Sequence, residues 1–147
     1  MGTTDKTIGG TTKMSGRASG ALIRLSNVID FKDENLSSGE IISMLNIPAN
    51  TVIMAVGAYV ERAEGGTLTF DVGITGGDTD GFIDGADGNS VAAVYEVLTL
   101  QEATPNTVTG LSAGLLVTSA SVLAMIINND ADYAKIHVHA YCLDLNP

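Results

Sequence analysis

The chain is 147 residues long and 45% apolar, which suits one buried core and leaves too little for two domains. A formal net charge of −10 argues against nucleic acid or an anionic membrane as partner of the body, and the single cysteine, Cys142, excludes an internal disulfide and a multi-cysteine zinc cluster. No apolar run approaches the roughly 20 residues of a membrane span, the longest being VLAMII at 122–127.

Residues 1–20, MGTTDKTIGGTTKMSGRASG, are rich in Gly, Thr and Ser and cannot bury enough surface to fold alone. They read as an extended N-terminal arm ahead of a single domain at 21–147. Charge is unevenly spread as well. Residues 1–24 hold Lys6, Lys13, Arg17 and Arg24 against Asp5, a net +3, whereas the rest holds three basic residues against sixteen acidic ones, a net −13. A basic arm on an acidic body can reach a neighbouring acidic surface, including that of another copy; a loose leader with incidental lysines is the alternative. The first residues do not follow the basic, apolar, small-residue order of a signal peptide, so no export signal is expected.

From residue 21 the pattern has period two, and eight strands are expected. The first spans 21–29 and the second 41–47. Ser37-Ser38-Gly39-Glu40 has capping-box spacing ahead of the second, but β-branched Ile41 and Ile42 favour strand over a short helix. Residues 51–60 are apolar on both faces, with Val52, Met54, Val56 and Val60 in one row, as in a central strand covered on both sides. In 66–74, Leu68, Phe70, Val72 and Ile74 share one face while Thr67, Thr69, Asp71 and Gly73 share the other. Further strands are expected at 91–99, 108–117 and 121–128. The last, 134–142, turns Ile136, Val138, Ala140 and Cys142 inward and Lys135, His137, His139 and Tyr141 outward. Short strands separated by turn signals define an all-β, single-domain β-sandwich or jelly roll.

Three stretches carry candidate chemistry. GGDTDGFIDGADGN at 76–89 offers Asp78, Asp80, Asp84 and Asp87 to a calcium ion, yet no starting point satisfies the EF-hand spacing, and four aspartates with no lysine repel phosphate. A polar inter-strand excursion, its glycines taking φ > 0 and Phe82 and Ile83 anchoring its middle, explains the same residues. His137 and His139 share one strand face and begin a zinc site that lacks an identifiable third ligand, unless aligned copies supply more. GLSAG at 110–114 matches the nucleophile elbow and is followed by Asp130 or Asp132 and then His137, but the elbow works only as a strand-to-helix turn above a parallel sheet. A Gly/Ser turn before a strand accounts for it, and neither catalytic residue nor cofactor is expected.

IPANTV at 47–52, EGGTLTFDVG at 64–73 and DGFIDG at 80–85 together resemble a series found in small virion structural proteins of tailed bacteriophages, including capsid decoration (cement) proteins. The resemblance is best over residues 40–90 and extends elsewhere only as strand rhythm. It implies a non-enzymatic β-sandwich that self-associates, often as a trimer, and sits on the capsid surface against the major capsid protein. Lys6, Lys13 and Arg17 are then the expected contacts with acidic neighbours, an ordering entropy being spent when the arm binds and recovered through many symmetric copies. A tail or head-fibre component with glycan-binding tyrosines Tyr59, Tyr95 and Tyr141 is the alternative.

Overall fold

The computed structural model describes residues 3–5, 11–13, 21–97 and 115–146. These form eleven strands and no helix: β1 (Thr3–Asp5), β2 (Thr11–Lys13), β3 (Ala21–Asp30), β4 (Ile41–Ile47), β5 (Thr51–Arg62), β6 (Thr69–Ile74), β7 (Ile83–Asp87), β8 (Val94–Val97), β9 (Leu115–Val117), β10 (Ser121–Ile127) and β11 (Lys135–Asp144). Sheet A has the order β1-β4-β10-β6-β7, and sheet B the order β2-β3-β11-β5-β8 with β9 also on β5. Every pairing is antiparallel except β1 on β4. The expected β-sandwich is therefore the fold.

Alternation places the core. Ile23, Leu25 and Ile29 of β3 and Ile136, Val138, Ala140 and Cys142 of β11 face Ile42, Met44, Phe70, Val72, Leu123 and Met125 from sheet A, all buried. Burial pushes the Cys142 thiol up to about 12, so it is an unreactive core residue. Residues 41–47 form the strand β4, as expected, and Glu40 still makes the contact that suggested a cap: its carboxylate accepts from the Ser37 N–H at 2.6 Å, closing a turn instead of starting a helix.

Two expectations are corrected by bulges. In β5 the row of Val52, Met54, Val56 and Val60 does not hold, because Tyr141 pairs with Ala55 and Cys142 with Ile53, so that Met54 is skipped. Ile53 therefore points inward with Val56, Ala58 and Val60, while Met54 turns outward. β5 is central in its sheet, but no second layer among the described residues covers its outer face. The other correction is β7, a ninth body strand inside the aspartate-glycine stretch. Phe70 pairs with Ala86 and Val72 with Ile83, so the inward residues Ile83 and Ala86 are three apart and escape a period-two reading. Gly85, at φ +68°, makes the irregularity, and its N–H donates to Asp71 Oδ1 at 2.7 Å.

β8 and β9 lie end to end on one edge of β5, facing Val56 to Tyr59 and Thr51 to Ile53 respectively. Two residues would continue one half into the other; the chain uses the seventeen at 98–114, which lie outside the described residues together with the parts 98–99 and 108–114 of the expected strands, while the expected start at 91–93 is a turn.

One polar anchor ties β5 to the entry of β11. The Glu64 carboxylate accepts from the N–H groups of Asp132, Tyr133 and Ala134 at 3.0, 3.1 and 2.7 Å. Burial raises the Glu64 carboxyl, but these hydrogen bonds outweigh it and hold it below its ordinary value. Glu64→Ala is expected to cost about 1–3 kcal/mol at neutral pH, because it orphans three donors. A depressed carboxyl stabilises above its unfolded value and loses that effect as pH falls through the folded one. The gap between wild type and variant in urea melts should thus narrow on acidification; a gap independent of pH would remove this carboxylate from the account.

Candidate interaction face

The four aspartates of the calcium reading are not brought together. Asp87 accepts from the Asn89 N–H at 2.9 Å, the Asn89 amide at 2.8 Å and the Ser90 hydroxyl at 2.7 Å, and its carboxyl is lowered by the Ser90 bond first and the Asn89 bonds next. Asp84 lies exposed on β7, and Asp78 and Asp80 belong to the β6–β7 turn. Phe82 and Ile83 are buried, as the excursion reading expects. Among the described residues no three His, Cys, Asp or Glu side chains converge as a metal site.

Residues 110–114 lie outside the described residues, and the chain resumes as the strand β9 where a nucleophile elbow requires a helix. Asp130, one candidate partner, accepts from the Ser38 N–H at 2.8 Å. Lys6 and Arg17 also lie outside the described residues; Lys13 sits in β2, opposite Ile23.

His137 and His139 do share the outer face of sheet B, and that face is the distinctive surface of the molecule. Strand register arranges it in rows. Leu22, Leu143, Val52 and Leu116 form an apolar row at one end. Arg24 and Tyr141 follow with Met54, then Ser26, His139 and Gly57, then Val28, His137, Tyr59 and Val94. Asp30, Lys135 and Arg62 close the far end as a charged rim. Leu22 is 44% exposed, Met54 39%, Tyr141 40%, Leu116 47% and Val94 60%, so apolar and aromatic side chains stand in solvent across five strands of the sheet. Such a contiguous patch, unlike scattered exposed residues, marks an interaction surface.

The polar groups of this face are already fixed in place. Glu61 accepts from Lys135 Nζ at 3.1 Å and bonds His137 Nε2, and its carboxyl is lowered by the His137 bond first and Lys135 next. Tyr59 lies 5.8 Å from the His137 ring, His139 meets Tyr141 edge-on at 5.5 Å, and the Arg24 guanidinium lies 5.8 Å from the Tyr141 centroid. Arg62 pairs with Asp30 and donates to the Tyr133 carbonyl at 2.7 Å. An ordered mixture of aromatic, Met and Arg side chains with polar groups at the rim is the composition of interface cores.

Sheet A differs in kind. Its strands contain no lysine or arginine and four aspartates, Asp5, Asp71, Asp84 and Asp87; the strands of sheet B hold four basic and four acidic residues. The sandwich is thus electrically two-sided. The signal for the interaction face was present in the sequence as the two-faced apolarity of 51–60, where it was taken for internal cover.

No protein-family model and no curated protein sequence matches the chain. Solved structures do. A chain of the capsid of Ralstonia phage GP4 superposes with a TM-score of 0.62 at 14% identity over 90% of each chain. A chain of the cyanophage Pam1 capsid asymmetric unit superposes at 0.57 and 15% identity over 90% of this chain and 91% of that one. The fold is one that phage capsids contain.

Proposed function

We propose that the protein is a non-enzymatic structural component of a bacteriophage virion, which decorates and stabilises the capsid exterior by self-association and by arm contacts with the major capsid protein. The observation that carries this reading is the outer face of sheet B, an apolar and aromatic surface on an otherwise acidic sandwich. The fold shared with chains of two phage capsids supports the virion location, and the chain's resemblance to cement proteins points to the outside of the shell. Self-association as a trimer, the state the resemblance implies, brings several such faces and arms to one lattice site and multiplies their attachment.

The test is sedimentation of purified protein with emptied, undecorated capsids, followed by imaging. Saturable binding at regular lattice positions is expected. A variant lacking residues 1–20 should fold normally and bind at least tenfold more weakly, as Lys6, Lys13 and Arg17 are removed from acidic neighbours. Equal occupancy by the truncated protein would refute the arm's role, and no binding by the full chain would refute decoration.

The exposure of Tyr59 and Tyr141 on one face favours a second reading, a tail or head-fibre component whose aromatic rings stack on host glycan. Few copies per virion and saturable oligosaccharide binding by the purified protein would select it.

A further inference from the structure

The arm strands β1 and β2 each supply the outermost strand of a different sheet. β1 pairs Thr3 to Asp5 with Ile41 to Ser43, and β2 pairs Thr11 to Lys13 with Leu25 to Ile23. The strands they cover, β4 and β3, belong to the same side of the sandwich, where Asn27 Nδ2 donates to the Met44 carbonyl at 3.0 Å. β1 and β2 therefore sit on the same side of the sandwich, one on the edge of each sheet. Exposed edges pair readily with another chain, so what covers them decides how copies meet.

Three features make this cover exchangeable. The paired segments are TTD and TTK, which contain no large apolar residue, so backbone pairing is what joins them to the sheets. Each segment pairs only three residues, whereas β4 has seven and β3 has ten. The seven residues at 14–20, MSGRASG, connect β2 to β3 where a two-residue turn would close a hairpin. Extended, seven residues reach about 25 Å, comparable to the width of a small domain.

We infer that β1 and β2 are donor strands: in the assembled protein they add to the β4 and β3 edges of a neighbouring copy instead of their own. This rests on the self-association reading above and names the contact that achieves it. An identical strand makes identical bonds in either place, so exchange changes little contact energy and is decided by local concentration, which a lattice raises. Copies linked head to tail in this way close into a ring when the rotation between them permits, as a trimer requires.

The test uses two full-length single variants, Thr12→Cys and Arg24→Cys, whose positions pair directly between β2 and β3. Cross-strand partners in antiparallel sheet lie about 4.5–5.5 Å apart at Cα, within disulfide reach. Neither variant can form this disulfide within one chain, and buried Cys142 does not compete. The two proteins are mixed, concentrated until sedimentation shows assembly, and oxidised. Covalent dimers carrying the 12–24 link, at least tenfold over the 12–12 and 24–24 links, are expected by peptide mapping. Assembly with no excess of the 12–24 link overturns the exchange while leaving self-association standing. Sedimentation as a monomer at every concentration overturns self-association, and exchange with it.

Discussion

Gly73→Ala is expected to lower the urea midpoint by the equivalent of about 3 kcal/mol or more, a large share of the 5–15 kcal/mol that holds a domain of this size. Sequence alternation assigns Gly73 to the outer, polar row of β6, yet the residue is buried. The β6–β7 turn folds back over it: the Ile74 N–H donates to the Asp78 carbonyl at 2.9 Å, and the Phe82 N–H to the Val72 carbonyl at 3.1 Å. A Cβ built on Gly73 would sit 2.2 Å from the Asp78 oxygen and 2.3 Å from the Thr79 carbonyl carbon. Both are backbone atoms, so no rotamer change relieves the clash. The turn must lift, which frees Phe82 and Ile83 from the core and breaks the pairing of β7 at the same time. A drop in midpoint with an unchanged slope would confirm a folded-state cost. A loss below about 0.5 kcal/mol, the range of neutral surface changes, would show that the turn does not rest on β6 as described.

The second large effect concerns association. Met54→Glu with Tyr141→Glu places two carboxylates beside each other on adjacent strands of the sheet B face. Central apolar and aromatic anchors are typically worth 2 kcal/mol or more apiece, and about 1.4 kcal/mol is tenfold in affinity, so a loss of at least about 100-fold in capsid binding is expected. Both side chains are exposed, so the fold should be unaffected. Asp84→Asn, on the exposed part of sheet A, is the control and should bind like wild type. If the double variant saturates capsids at the wild-type concentration, the face is not the docking surface. If Asp84→Asn weakens binding as strongly, the acidic sheet carries the contact.

The two experiments also separate what was readable in advance. Strands with regular alternation were the most legible: β11 buries the row Ile136, Val138, Ala140 and Cys142 that period two assigns to the core, and β6 buries Phe70 and Val72 as assigned, although Gly73 of its other row is buried as well. β7 was not, because Asp84, Gly85 and Asp87 are poor strand formers and the bulge at Gly85 moves its inward residues to a spacing of three. The bulge at Met54 had a similar effect on β5, turning Val52 and Met54 outward while Val56 and Val60 of the same row stay in the core. Local propensity cannot signal either event, since a bulge is a mismatch between two strands and belongs to the pair. The candidate chemistry was readable mainly in the negative: spacing already argued against an EF-hand, and the structure uses Asp71 of β6 to hold Gly85 and Asn128, and Asn89, itself held by Asp87, to bind Gly66 and Leu68 ahead of β6.

By itself, then, the amino-acid order determined an all-β sandwich, its main buried rows, a basic N-terminal stretch ahead of an acidic remainder, and a loop unsuited to phosphate, because each follows from periodicity, turn chemistry or charge count within a short window. Only the tertiary structure decided that all described cations lie on or beside sheet B, that its outward apolar residues align into one face, and that the arm strands meet the edges of both sheets. Those facts depend on strand order and register across long sequence separations, where β11 sits between β3 and β5 and brings Leu22, Leu143, Val52 and Leu116 into one row.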